Sequence, residues 1–220
     1  MELRYHDEVN VRIGKVVVKG ELTIPQKARA IIIFSHGSGS SRFSKRNQMV
    51  AHYLQSKNFG TLLFDLLTEE EDQHFHNRFD IGLLTKRLAG ASEWLERLPA
   101  AKNCRIGYFG ASTGAASALR AAAILPQIDV VVSRGGRPDL AMEVLPEISA
   151  PTLLIVGQLD YDVLQLNKEA YNQLKCEKKL QVVDGATHLF EETGKMEIVY
   201  ELAANWFEKH FQPVTVHSLK

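Results

Sequence analysis

Gly110-Ala111-Ser112-Thr113-Gly114 follows an apolar run, Arg105 to Phe109, and precedes an alanine-rich stretch, Ala115 to Leu125. G-x-S-x-G between a strand and a helix is the spacing of a sharp turn that lifts a serine hydroxyl clear of a sheet. Glycines two before and two after the serine let the two backbones pass without a Cβ clash. The turn also sets the hydroxyl near a helix start, where partial positive charge favours a developing anion. A small-residue turn that only starts a helix is the plainer alternative. The strand before and the helix after favour Ser112 as a nucleophile.

A serine hydroxyl needs a base. Among the eight histidines, His188, in Asp184-Gly185-Ala186-Thr187-His188, is the one that follows a strand downstream of Ser112. The acid that orients such a base is expected after the preceding strand, where Gly157-Gln158-Leu159-Asp160 stands. Asp160 would hold the imidazole in the right tautomer and stabilise its cation. Asp162 competes, but suits the start of the helix beginning near Val163. Ser112, Asp160 and His188 therefore come in the order nucleophile, acid, base.

His36-Gly37-Ser38-Gly39-Ser40-Ser41 follows the strand at 30–34. A loop of small residues there can aim a backbone N–H at the site. The N–H of Ser38, with that of Gly37 as alternative, is expected to join the N–H of Thr113 in an oxyanion hole. His36 reads as a brace for the loop, and the G-x-x-x-x-G-K-[ST] phosphate cradle is absent. Arg134, at another strand end, could clamp a substrate carboxylate, a salt bridge to Asp139 being the alternative. Asp65 reads as a loop-bracing acceptor. His74 and His76 lack a third ligand, so no metal is expected.

Positioning these residues takes alternating strands and helices. Strands are expected at 30–34, 61–64, 105–109, 128–132, 151–156 and 180–183, and helices at 44–57, 79–98, 115–125, 163–174 and 197–211. Residues 66–78 read as a loop. Residues 9–13 and 15–22 alternate like a hairpin turning near Gly14. Repeated βα units give a mostly parallel central sheet, with an antiparallel N-terminal hairpin and helices on both faces. Ligands bind such sheets at the carboxyl ends of the strands, which is where all the residues above fall. The stretch Ser133–Ala150 is short, with one small helix at 140–145, and predicts a minimal lid over an open pocket.

Ser-His-Gly-Ser-Gly at 35–39, Gly-Ala-Ser-Thr-Gly at 110–114, Ile-Val-Gly-Gln-Leu-Asp at 155–160 and Gly-Ala-Thr-His at 185–188 resemble the α/β-hydrolase family in its dienelactone hydrolase-like branch. The resemblance spans nearly the whole chain and implies one α/β-hydrolase domain over residues 1–220. Ser133-Arg134-Gly135-Gly136-Arg137-Pro138-Asp139 also resembles small bacterial members found fused or adjacent to phosphoribosyltransferase-like proteins. The family implies hydrolysis of an acyl ester through an acyl-enzyme, with no metal or organic cofactor. Its dienelactone-cleaving members carry cysteine where this chain has Ser112.

Composition excludes other classes. The chain has 220 residues, 45% hydrophobic and 24% charged, so it can bury a core unaided and is not a disordered chain. Its 26 basic and 26 acidic residues leave no net charge to drive nucleic-acid binding. Arg42, Lys45 and Arg46 read as a solvated helix start. Two distant cysteines, Cys104 (expected buried) and Cys176, suit a reducing compartment. The charged N-terminus is no signal peptide and no apolar run approaches a membrane span, so a cytoplasmic location is expected. The expected partner is a small acyl ester, with no nucleic acid or membrane; a homodimer is left open. A non-catalytic binding module on the same fold, or a thioesterase or peptidase with the same residues, are the rival readings.

Overall fold

The computed structural model describes residues 2–211. β1 (Leu3–Ile13) and β2 (Val16–Pro25) form an antiparallel hairpin, and Gly14 takes the left-handed conformation its turn requires, at φ 58°. The hairpin is longer than the alternation at 9–22 predicts. The first residues of β1 are mostly exposed and polar, so they carry no hydrophobic period.

The βα units follow: β3 (Ala30–Ser35), α1 (Lys45–Ser56), β4 (Gly60–Phe64), α2 (Glu69–Asp72), α3 (Ile81–Glu96), β5 (Arg105–Ala111), α4 (Thr113–Ile124), β6 (Ile128–Arg134), β7 (Thr152–Gly157), α5 (Tyr161–Gln173), β8 (Lys178–Val183) and α6 (Lys195–Phe211). The eight strands form one sheet in the order β1-β2-β4-β3-β5-β6-β7-β8. β2 runs antiparallel to both neighbours, and β3 to β8 are parallel. This is the predicted mixed sheet. Strands β3, β4 and β7 are buried along their whole length, because helices cover both faces. Helices α1 and α6 pack on one face, α3, α4 and α5 on the other. Each fully enclosed side chain, such as Ile31, Ile32 or Ile33, contributes about 1.5–3 kcal/mol of burial.

Helix ends are set by capping. Ser44 accepts from Asn47 N–H at the start of α1. Asp80 accepts from Leu83 N–H, so α3 begins at Ile81, and Phe79, expected inside it, lies in a preceding 3₁₀ turn at Phe75–Phe79. Residues 66–78, expected as a loop, contain α2. A capping box between Thr68 and Glu71 closes this single turn. Glu71 also ion-pairs with Arg87 of α3, and Arg78 grips both carboxylate oxygens of Asp72 at 2.8 and 2.9 Å. Four polar residues have no apolar period, so the sequence does not announce this helix.

The small helix expected at 140–145 is a ten-residue 3₁₀ stretch, Pro138–Glu147. It lies against α4 and α5, tied by Arg120 Nε–H to Leu140 O (3.0 Å). Cys104, expected buried, is only half-buried at the foot of β5. Among the described residues no helix is long and apolar enough to cross a membrane.

Candidate active site

Ser112 sits between β5 and α4 with φ 52° and ψ −123°, a conformation that strains any side-chain-bearing residue. The turn survives because its neighbours are glycine. A Cβ at Gly110 would stand 2.5 Å from Ala115 Cα, and one at Gly114 would stand 2.2 Å from Ser35 O. Ser112 O accepts from Ala115 N–H (3.0 Å) and Arg137 N–H (3.1 Å), and Ser112 N–H donates to Arg134 O (3.2 Å). Backbone hydrogen bonds on both sides thus hold the strained residue, leaving its side chain half-buried.

Asp160 and His188 lie on the loops after β7 and β8. His188 Nδ1–H donates to Asp160 Oδ2 at 2.6 Å. Asp160 occupies the N-cap position of α5 but makes no side-chain cap bond, so its carboxylate is free for the imidazole. Asp162 is exposed in the first turn of α5. The proton on Nδ1 leaves Nε2 with a free lone pair, the form a general base requires. Among the described residues the ring bonds Asp160 and makes no hydrogen bond to Ser112 Oγ. The two residues still abut one backbone corner. Ser112 N–H bonds Arg134 O, and a Cβ at the next residue, Gly135, would lie 3.4 Å from His188 Cε1.

The loop after β3 reaches the nucleophile through Gly37, where a Cβ would stand 3.1 Å from Ser112 Cβ. Gly37 therefore allows close approach, and its carbonyl accepts from Ser40 N–H and from His36 Nδ1–H. Ser38 N–H donates to Thr113 Oγ1 at 2.8 Å. The N–H of Thr113 opens α4, where no helical carbonyl lies upstream to accept it. His36 is the predicted brace. Its Nε2 accepts from Leu66 N–H (3.1 Å), and burial lowers its pKa, so the ring is neutral.

Asp65 accepts from Arg42 N–H (2.8 Å) and ion-pairs with the Arg42 guanidinium. Arg42 and Arg46 are therefore not a solvated helix start: Arg46 Nη1 bonds Glu191 Oε1 at 2.6 Å, tying α1 to the loop that follows His188. Arg134 is buried, and Asp139 pairs with Arg137 instead of with it. The His74 and His76 rings lie 5.9 Å apart, and among the described residues no three potential ligands gather around a cation position. Leu159, Tyr161 and Leu189, all exposed, give the rim beside Asp160 and His188 an apolar character. A cavity of about 500 Å3 is walled by His36, Ser40, Val17, Arg42, Asp65 and Glu69. The sequence gives no sign of it, since its walls come from β2 and from loops distant in the chain.

A strained serine between β5 and α4, on a sheet of this order with an acid and a histidine after the last two strands, defines the α/β-hydrolase fold. Residues 18–215 match the model of the dienelactone hydrolase family, and the chain belongs to that family. A dienelactone hydrolase from Anabaena variabilis superposes with a TM-score of 0.94 at 48% identity, covering 96% of this chain and 100% of that one. Est1E from Butyrivibrio proteoclasticus shares the fold at 15% identity, with a TM-score of 0.79 over 92% of this chain and 98% of that one. A Mycobacterium tuberculosis protein named provisionally as a phosphoribosyl transferase is 53% identical over 206 residues, 93% of this chain and 46% of that protein. The chain thus spans about half the length of the curated relatives it matches.

Proposed function

We propose that this chain is a serine hydrolase that cleaves small to medium carboxylic esters through an acyl-enzyme. The observation that carries the reading is the 2.6 Å bond from His188 Nδ1 to Asp160 Oδ2, beside a serine held in a strained turn. His188 Nε2 takes the Ser112 proton as Oγ attacks the carbonyl carbon, and the N–H groups of Ser38 and Thr113 receive the oxyanion. His188 then gives that proton to the departing alkoxide, leaving an acyl-serine. Water, deprotonated by the same imidazole, repeats the addition and releases the acid. Neither a metal nor an organic cofactor enters these steps.

Two adjustments precede attack. The His188 side chain, 36% exposed, must swing to Ser112 Oγ, and Ser38 N–H must pass from Thr113 Oγ1 to the substrate. Such bonds commonly form only with substrate bound. The open, apolar rim at Leu159, Tyr161 and Leu189 suits an acyl chain of modest size. The phosphoribosyl transferase name belongs to a chain more than twice as long as the portion matched. We assign hydrolysis, not group transfer to ribose, to this portion.

The test compares wild type with Ser112→Ala on p-nitrophenyl acetate and butyrate, together with labelling by a fluorophosphonate. Turnover and labelling by wild type alone support the reading. Equal rates in both proteins remove Ser112 from the chemistry, and an unlabelled, inactive but folded wild type favours a binding module.

A further inference from the structure

The loop that carries His188 is held in two parts. Its first part is lashed to the loop of Asp160. Gln158 N–H donates to Val183 O and Leu159 N–H to Ala186 O, both at 2.9 Å, and Gly185 N–H donates to Gln158 Oε1 at 2.9 Å. Beyond Ala186 these ties stop. Thr187–Phe190 is a tight turn with His188 and Leu189 at its tip, closed by Phe190 N–H donating to Thr187 O at 3.3 Å. Phe190 takes φ 56°, in the left-handed region, with its ring buried in the core. A residue with a Cβ keeps that conformation only where its surroundings fix it.

Glu192 grips this turn from the far side. Its Oε1 accepts the N–H of Thr187 at 3.1 Å and the hydroxyl of Thr187 at 2.5 Å. Its Oε2 is enclosed and has no partner among the described residues, so the carboxylate is turned into the loop and not out to water. The Glu192 carbonyl accepts from the N–H of Lys195, the first residue of α6, at 3.0 Å. Glu192 therefore joins the residue before His188 to a helix anchored by the buried Met196, Val199 and Ala203. Bonds to an ionised carboxylate are about twice as strong as neutral ones, which suits a strut. A displacement of about 1 Å at a reacting group can cost about 100-fold in rate, so the tip that bears an imidazole base needs such a hold.

We propose that Glu192 is a positioning residue for the base: acting through Thr187, it fixes the turn that sets His188 between Asp160 and Ser112. The catalytic consequence rests on the serine-hydrolase reading above; the effect on the His188–Asp160 pair does not.

The test compares wild type with Glu192→Ala, Glu192→Gln, Thr187→Val, Thr187→Ser and the double variant of Glu192→Ala with Thr187→Val. Three properties are measured: turnover of p-nitrophenyl acetate, melting temperature, and the low-field proton resonance of His188 Nδ1–H, identified by its loss in His188→Gln. In Glu192→Ala, kcat is expected to fall at least about tenfold with KM little changed, and the resonance to broaden or vanish. Glu192→Gln keeps an acceptor oxygen and Thr187→Ser keeps the hydroxyl, so both are expected to recover most of kcat and the resonance. Thr187→Val keeps the backbone bond and is expected to lose about threefold in kcat. The double variant is expected to be no slower than Glu192→Ala, because both changes cut one link. A Glu192→Ala protein that melts lower yet keeps wild-type kcat and resonance overturns the proposal, since a purely structural carboxylate moves only stability. So does a double variant in which the two losses multiply. Should Glu192→Ala fail to fold, Thr187→Val decides, and unchanged kcat and resonance there overturn the proposal. A wild type that neither turns over esters nor reacts with a fluorophosphonate, but whose resonance is lost in Glu192→Ala, keeps the positioning role and overturns the hydrolase reading.

Discussion

Asp160 stands at the N-cap position of α5, yet its carboxylate turns away from the helix and accepts the Nδ1 proton of His188 at 2.6 Å. A helix start usually claims such a side chain for its own unpaired N–H groups. Here the imidazole has it, and the carboxylate fixes both ring orientation and tautomer. Asp160→Asn keeps the shape but can donate an amide N–H to Nδ1, moving the ring proton to Nε2 and removing the base. The expected result is a loss in kcat of about 10,000-fold with little change in KM. Steady-state kinetics on p-nitrophenyl acetate measure it, and a loss below tenfold would show that the aspartate does not orient the base.

Thr113 Oγ1 holds the Ser38 N–H that the oxyanion is expected to use. This bond ties the loop after β3 to the start of α4 and keeps the donor aimed at Ser112. Thr113→Val removes the acceptor without changing the volume much. The expected effect is about a fivefold fall in kcat, close to one neutral hydrogen bond of about 1 kcal/mol, with Thr113→Ser restoring the rate. A rate increase in Thr113→Val would mean that releasing the donor from the hydroxyl costs more than the aim this bond gives it.

His36 makes stability depend on pH. Burial lowers its folded pKa below the ordinary 6.5, and Nε2 must stay unprotonated to accept from Leu66 N–H. Above pH 6.5 the ring is neutral in both folded and unfolded chains, and its contribution is fully present. Below pH 6.5 the unfolded chain binds a proton that the folded chain refuses. Stability then falls by about 1.4 kcal/mol per pH unit until the folded pKa is reached. His210, also lowered by burial, acts in the same direction. Thermal melts from pH 8 to pH 5 are expected to show the decline, and a shallower slope for His36→Gln. Parallel slopes for both proteins would remove His36 as a source.

Much of the architecture is legible along the chain. The apolar runs at 30–34, 105–109 and 151–156 read as strands because a strand covered on both faces has no polar face to interrupt it. The apolar stripes at 44–57 and 79–98 reveal α1 and α3, but their first residues, Lys45 and Ile81, are set by the caps Ser44 and Asp80. Helix α2 is not legible, since one capped turn of four acidic residues has no apolar stripe to detect. The ionic ties of Arg42 and Arg46 are missed for another reason: their acids, Asp65 and Glu191, come from other strand ends.

The order of residues along the polypeptide determined the kind of sheet, the turn at Ser112, and the loops on which Asp160 and His188 stand, because each depends on neighbours a few positions away. Folding alone decided that Asp160 gives its carboxylate to the imidazole and not to its own helix, that Thr113 engages Ser38, and that Arg134 is enclosed without a counter-charge among the described residues. Those outcomes depend on the packing of strand ends, which brings together groups whose separation in sequence says nothing about their separation in space.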